Sequence, residues 1–135
     1  MPVLALCLLL AAALPARAQQ SPTDFEVLER YAGTWSPDCA QPASPRLQVG
    51  TDALRLQAGG RQLRSGVPIT SFSYFGKQAP PAGFDVALLG DGRPVGLSLL
   101  AMKDPTGPYL TVDVDPPLRK QFGDAALAGK FRRCP

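Results

Sequence analysis

Prolines and glycines interrupt this chain at short intervals. Its 135 residues include 15 prolines and 13 glycines. Because proline ends a helix and glycine weakens one, the segments between them favour short strands and turns over long helices. With 45% hydrophobic and 19% charged residues, the composition is nevertheless typical of a folded globular protein. We therefore expect one small β-rich domain.

Apolar and polar residues alternate along most of the chain, the period expected of half-buried strands. The strand candidates lie at 46–49, 54–58, 61–65, 67–75, 84–88, 95–102, 109–115 and 127–134. The segment 95–102 is apolar on both faces, which predicts a central strand. Gly59 and Gly60 predict a two-residue hairpin. The pattern indicates an all-β, mainly antiparallel fold of about seven or eight strands, either a small barrel or a sandwich.

Two short helices complete the predicted fold. The first is expected over 24–32, with Thr23 as its N-cap, Glu26 reaching back to it, and Gly33 ending it. A second short helix is expected after Asp115, before the last strand, because an aspartate followed by prolines is typical of a helix start.

The first residues have the pattern of a secretory signal peptide. An apolar run over 3–14 is followed by Pro15 and by the small residues of Ala16-Arg17-Ala18, which predicts cleavage after Ala18. The run has about 12 residues and is too short to span a bilayer, so stable membrane insertion is not expected. This interpretation gives a cleaved segment 1–18, a single β domain over 19–135, and a periplasmic or secreted location.

Two cysteines remain after that cleavage, Cys39 and Cys134. An even pair in an oxidising compartment predicts a disulfide, which would tie the last strand to the start of the domain. No C-x-x-C pair is present, so a metal or redox site is not expected.

The absence of histidine excludes the commonest general base and the commonest metal ligand. Asp113 and Asp115 lie two residues apart on one predicted strand face and are candidates for acid–base chemistry or calcium binding, but a solvated strand face is the favoured explanation. We expect no enzymatic activity, no metal and no cofactor.

The formal net charge of +3 is too small to indicate nucleic-acid binding. The basic residues Lys130, Arg132 and Arg133, with Arg119 and Lys120, are expected to protect a solvated edge strand; the alternative is contact with an acidic partner or an anionic envelope polymer.

Aromatic residues are densest just before a proline-rich loop, a combination typical of protein-binding surfaces. The candidate binding residues are Phe72, Tyr74, Phe75, Lys77, Pro80 and Pro81. We expect a small non-catalytic protein that binds and inhibits another protein, such as a lysozyme, a protease or a toxin. The alternative is a carrier that holds a small apolar ligand inside a barrel.

The segment Phe25–Trp35 contains a G-x-W motif, Gly33-Thr34-Trp35, after a short helix. It resembles the opening of the lipocalin-type calycin barrels and is similar to that of the periplasmic inhibitors of bacterial metalloproteases. The resemblance implies that Gly33 and Trp35 are structural, with Trp35 packed across the closed end of a barrel. The lipocalins' later arginine motif is not recognisable here, and the cysteines of the metalloprotease inhibitors close a much shorter loop.

Overall fold

The computed structural model describes residues 21–74, 79–93 and 95–135. The predicted signal peptide, residues 1–18, lies outside these ranges. The elements along the described chain are α1 (Pro22–Tyr31), β1 (Gly33–Ser36), β2 (Arg46–Val49), β3 (Leu54–Ala58), β4 (Arg61–Arg64), β5 (Ile69–Ser71), β6 (Phe84–Gly90), β7 (Leu97–Asp104), β8 (Gly107–Val112), α2 (Pro116–Phe122), α3 (Asp124–Leu127) and β9 (Arg132–Arg133).

The strands form two antiparallel sheets in which most strands lie beside their neighbours in sequence. The first sheet has the order β4-β3-β2-β1-β9, and the second has the order β5-β6-β7-β8. The sheets meet where Leu110 of β8 and Phe131 exchange two backbone hydrogen bonds of 2.9 Å. The predicted mainly antiparallel β fold with short helices is confirmed, with nine strands among the described residues instead of about seven or eight.

The inner faces of the two sheets share one hydrophobic core. Leu47 lies opposite Leu56 in the first sheet, and Leu88 lies opposite Leu99 in the second; all four are fully buried. Other large side chains that are fully buried are Trp35, Phe131, Leu28, Leu54, Leu97, Leu110 and Leu118. The alternation of apolar and polar residues therefore predicted the inward face of these strands correctly.

Two further predictions about the sheets are confirmed. Strand β7, which corresponds to the doubly apolar segment, lies between β6 and β8. Gly59 and Gly60 connect β3 to β4 with φ angles of 57° and 77°. Both values lie in the left-handed region, which glycine adopts without the steric cost that other residues meet.

Helix α1 begins earlier than predicted. Its N-cap is Ser21, whose hydroxyl accepts from the Asp24 N–H, while the Asp24 carboxylate accepts from the Ser21 N–H, both at 3.1 Å. The predicted pair of Thr23 and Glu26 was wrong, because Pro22 suits the first helical position and leaves Ser21 to cap it. The C-cap is Ala32, and Gly33 instead opens β1 with a φ of 128°.

The strand predicted over 67–75 is much shorter than expected. Only Ile69–Ser71 pairs with β6, and the chain bends directly afterwards. The Ser71 hydroxyl accepts from the Ser73 N–H at 3.3 Å and donates to the Ser73 carbonyl at 3.1 Å. These local hydrogen bonds compete with strand pairing. Phe72 and Tyr74 therefore do not share a strand face.

The C-terminal region also differs from its prediction. Helix α2 follows the Asp115 cap as expected, but the segment 127–134 is not one strand. Asp124–Leu127 forms a further short helix, and β9 contains only Arg132–Arg133. Gly123 and Gly129 have φ angles of 81° and 95°, so the chain turns on either side of that helix.

The start of β3, the residue after β4 and the end of β6 meet at one corner of the fold, formed by Leu54, Ser65 and Gly90. The Ser65 hydroxyl accepts from the Leu54 N–H at 2.8 Å and donates to the Gly66 carbonyl at 2.7 Å. A Cβ atom added at Gly90 would lie 2.4 Å from the Ser65 hydroxyl oxygen. Glycine at position 90 therefore allows β6 to approach this corner closely.

The predicted disulfide joins Cys39 to Cys134, with an S–S distance of 2.05 Å. It links the loop after β1 to the residue that follows β9, across 95 positions of sequence. Within the ranges that the structure describes, no helix is long and apolar enough to cross a membrane.

Candidate functional site

The predicted binding residues that the structure describes lie at the bend after β5 and in the loop before β6. Phe72 is 59% exposed, and Pro80 and Pro81 are also exposed. Tyr74 is half-buried, because its ring lies edge-on to that of Phe84 with 5.5 Å between the ring centroids. The remaining two candidates, Phe75 and Lys77, lie outside the described residues.

Two aliphatic side chains that sequence reasoning did not select extend this surface. Val67 is 52% exposed and Ile69 is 46% exposed, whereas Pro68 between them is buried. The sequence did contain a signal, since Val67 and Ile69 are two residues apart and so point to the same side of an extended segment. Phe25 of α1 is the fourth large hydrophobic side chain that is strongly exposed in the described chain.

The outer face of the second sheet continues this apolar character. Ile69 lies opposite the half-buried Leu89, and the next row runs from Ala87, which is buried, to the half-buried Leu100 and Thr111. All the residues of these two rows are uncharged. Exposed apolar residues grouped beside a free sheet edge are typical of a contact surface.

The free edge of β5 is itself protected by Asp24 of α1. The Asp24 carboxylate accepts hydrogen bonds from the Thr70 backbone at 2.8 Å and from the Thr70 hydroxyl at 2.6 Å. Burial acts to raise the pKa of Asp24, but the hydrogen bonds from Thr70 and Ser21 outweigh it and hold the pKa below its ordinary value. Because the Thr70 N–H is occupied and Pro68 has no N–H, an added strand would find few donors here.

Trp35 is enclosed by residues from three elements. Its side chain is fully buried, and its indole N–H donates to the Tyr31 carbonyl at 2.9 Å. The Arg133 guanidinium lies 4.6 Å from the centre of the Trp35 ring system. Tyr31 in turn donates its phenolic hydrogen to Asp85, and burial, together with this carboxylate, raises the pKa of Tyr31. These contacts give Trp35 and Tyr31 a structural role.

The two acidic candidates do not lie on a strand face, because β8 ends at Val112. Asp115 caps α2 by accepting from the Leu118 N–H at 2.9 Å. Burial, and to a lesser extent the charge of Asp115, raises the pKa of Asp113. Since the Asp115 carboxylate is committed to the helix cap, the pair has a structural explanation.

Two of the basic residues near the C-terminus share one carboxylate, and the third, Arg133, donates to backbone carbonyls. Lys130 and Arg132 donate to the same Asp104 oxygen at 2.7 and 2.5 Å, and both lie over the Tyr109 ring. The hydrogen bonds from Arg132 and Lys130 hold the pKa of Asp104 well below its ordinary value. The expectation of a charged edge strand agrees with the sheet order, because β9, which contains Arg132 and Arg133, is the outermost strand of the first sheet. Phe131, just before β9, forms a single bridge to β8.

A groove of about 520 Å³ crosses the outer face of the first sheet. Two rows of opposed outward-facing residues line it: Thr34, Gln48, Arg55 and Arg64 in one, and Arg46, Gln57 and Gln62 in the other. We call this surface the arginine–glutamine groove. Its polar character contrasts with the two uncharged rows of the second sheet. In the sequence these residues form only the polar half of an alternating pattern, which does not indicate a groove.

No group of histidine, cysteine, aspartate or glutamate side chains within residues 21–74, 79–93 and 95–135 could hold a metal ion. Comparisons of the chain with protein-family models, with curated proteins and with solved structures found no significant match.

Proposed function

We propose that this protein is a small secreted or periplasmic binding protein without catalytic activity. Its function would be to bind and inhibit another protein, such as a lysozyme, a protease or a toxin. One observation carries the proposal: Val67, Ile69 and Phe72, three of the strongly exposed hydrophobic side chains, follow one another along the β5 segment. The disulfide between Cys39 and Cys134 is compatible with a protein that acts outside the cytoplasm.

The proposed contact surface combines these side chains with the neighbouring loop. It comprises Val67, Ile69, Phe72, Tyr74, Phe75, Lys77, Pro80 and Pro81. Large apolar side chains that are already exposed provide binding energy when a partner covers them, and prolines limit the conformational entropy that the loop loses. The contact of Tyr74 with Phe84 would hold the bend in place, while Phe72 is free to enter a pocket of the partner.

The carrier hypothesis has weaker support. A carrier of an apolar ligand requires an internal cavity lined by apolar side chains. The inward-facing positions of the two sheets instead contribute large residues to one buried cluster, including Leu47, Leu88 and Phe131. This observation favours protein binding over small-ligand transport.

We also propose that the chain is a divergent relative of the calycin barrels. The G-x-W tryptophan, Trp35, is fully buried beside α1, and successive strands are neighbours in both sheets. Although the sequence contains no recognisable later arginine motif, Arg133 of the last strand contacts the Trp35 ring. These observations support the resemblance, which an experimental structure would test through the closure of the two sheets into a barrel.

The proposed function can be tested by measuring inhibition of a panel of lysozymes and secreted proteases by the oxidised protein. We expect stoichiometric inhibition of at least one enzyme. The double variant Ile69→Ser/Phe72→Ser should weaken that inhibition at least tenfold while leaving the melting temperature nearly unchanged, because both side chains are exposed.

A matched control is the double variant Arg55→Gln/Arg64→Gln on the other sheet, which should inhibit like the wild type. Absence of inhibition across the panel would count against the inhibitor function. Inhibition that is unaffected by the Ile69→Ser/Phe72→Ser change would instead show that the contact surface is elsewhere.

A further inference from the structure

The arginine–glutamine groove carries positive charge that the chain neutralises only in part. Arg55 and Arg64 occupy directly opposed positions on β3 and β4. Like charges that face one another across a sheet destabilise it. Asp52 at the rim accepts from both guanidinium groups, but at 3.3 and 3.4 Å, and all three side chains are substantially exposed. The single carboxylate of Asp52 balances only one of the two guanidinium charges, so a further anion would be attracted to Arg55 and Arg64.

Arg46, the third arginine of the groove, is held in a defined position. One of its terminal nitrogens donates to the carbonyls of Cys39 and Gln41, at 3.2 and 3.1 Å, and the other lies 3.6 Å from the Cys134 sulfur. These contacts fix the guanidinium against the disulfide. A cation that is already ordered loses less conformational entropy when it binds a ligand.

Three glutamines lie among these arginines. Gln48 is opposite Arg55, Gln57 is opposite Arg46, and Gln62 is opposite Gln57. Within the described part of the chain, the amide groups of these glutamines make no hydrogen bonds to protein atoms. A side-chain amide both donates and accepts, so it matches ligand hydroxyl groups, which also do both. The groove therefore offers cationic and amide groups side by side.

The groove is long enough for a ligand of several units. A second depression of about 360 Å³ begins at Arg46 and Gln57 and extends to the Gly59–Gly60 hairpin. Together the two depressions run from the Arg64 side of the sheet to its hairpin end. An extended oligomer could follow this path along β3 and β4.

We propose that the arginine–glutamine groove binds an acidic oligosaccharide, a chain of sugars that carry carboxylate groups. The carboxylates would pair with Arg55 and Arg64, and the sugar hydroxyls would hydrogen-bond to the glutamine amides. An acidic peptide fits less well, because an extended peptide gains most by pairing with a sheet edge, whereas this groove lies on a sheet face. The proposed site is separate from the apolar surface on the second sheet and does not depend on the inhibitor function.

The test uses isothermal titration calorimetry and backbone NMR with three probes of equal length. Oligogalacturonate carries both carboxylates and hydroxyls, a neutral maltooligosaccharide carries hydroxyls alone, and oligoglutamate carries carboxylates alone. We expect oligogalacturonate to bind most tightly, with an affinity that falls as salt is raised, and to shift the amide signals of β2, β3 and β4.

Two charge-matched double variants locate the site. Arg55→Gln/Arg64→Gln should weaken oligogalacturonate binding at least tenfold, whereas Arg30→Gln/Arg93→Gln, which removes two exposed arginines outside the groove, should have little effect. Gln57→Ala/Gln62→Ala should also weaken binding if the amides contact hydroxyl groups. Circular dichroism and thermal melting establish that each variant folds.

Three results would overturn the proposal. The first is no binding of oligogalacturonate at millimolar concentration to the folded wild-type protein. The second is an equal loss of affinity in both arginine variants, which would indicate a general charge effect. The third is binding of oligoglutamate as tight as that of oligogalacturonate, which would assign the groove to acidic protein segments.

Discussion

Arg133 stacks on Trp35 while it also closes the C-terminal end of helix α1. Its guanidinium lies 4.6 Å from the Trp35 ring and donates to the carbonyls of Arg30 and Ala32 at 2.7 and 3.0 Å. The last carbonyls of a helix lack partners within the helix, and a positive charge there also interacts favourably with the helix dipole. One side chain of the last strand thus fastens the first helix to the first strand.

Replacing Arg133 with alanine should lower the free energy of unfolding by about 1 kcal/mol, because both carbonyls and the ring contact lose their partner. Urea unfolding followed by Trp35 fluorescence measures the change and also reports the altered environment of the ring. Arg93→Ala, at an exposed loop position, serves as the control and should leave stability unchanged. Equal stability of the two variants would contradict the structural role of Arg133.

Removing the disulfide with Cys39→Ser/Cys134→Ser should lower the free energy of unfolding by about 4 kcal/mol, because the cross-link closes a long loop in the unfolded chain. Urea unfolding of the double variant and of the wild type, the latter with and without reductant, measures the effect. The reduced wild type should match the variant. If the oxidised protein and the variant unfold at the same urea concentration, the disulfide does not stabilise the fold.

Asp24 should make stability depend on pH. Its pKa in the folded protein lies below the ordinary value of 3.8, so its contribution is fully present above that pH and is lost as the pH falls through the folded pKa. Asp24→Asn should therefore be less stable than the wild type at neutral pH, by about 1 kcal/mol, and the difference should shrink towards about pH 2. A difference that is constant across acidic pH would show that the charge of Asp24 is not involved.

Gly90→Ala should destabilise the protein by about 2 kcal/mol, because the new Cβ would displace the Ser65 hydroxyl from the Leu54 N–H. Gly66→Ala is the matched control, since its Cβ would meet only the Asp91 carbonyl oxygen, at an ordinary contact distance of 3.5 Å. Thermal and urea unfolding of both variants measure the difference. Equal stability of the two would mean that the corner relaxes without cost.

The elements that the sequence predicted well are those whose local pattern agrees with their packing. The alternation around Leu47 and Leu56 sufficed for β2 and β3, because one face of each is buried and the other carries arginines and glutamines. The Gly59–Gly60 turn and the Asp115 cap are local signals of the same kind, and each was predicted from a few neighbouring residues.

The features that the sequence did not reveal depend on contacts that its alternating pattern does not encode. The aromatic residues after Ser71 favoured a continued strand, but local serine hydrogen bonds and the limited pairing with β6 end it. The sequence also did not reveal the partners of the basic C-terminal residues. Asp104 and Tyr109, more than twenty positions earlier, bind Lys130 and Arg132 only once the β7–β8 hairpin has formed.

The candidate site was predictable only in part for the same reason. Phe72 stood out as an aromatic residue, whereas the exposure of Val67 and Ile69 depends on which strand lies at the edge of the second sheet. The arginine–glutamine groove depends on the register that places Arg55 opposite Arg64. Alternation alone does not determine register, so residues that are distant in sequence could not be assigned to one surface.

The pairing of β1 with β9 has a consequence for the order in which the protein folds. These strands are neighbours in the sheet but lie far apart in the sequence. The disulfide between Cys39 and Cys134, which follow β1 and β9, spans 95 positions. During synthesis β1 is made early, whereas β9, its second neighbour in the sheet, is made much later. Folding that ends with such a distant contact is slow. We therefore expect the β1–β9 pairing to form last, after the hairpins between neighbouring strands of each sheet.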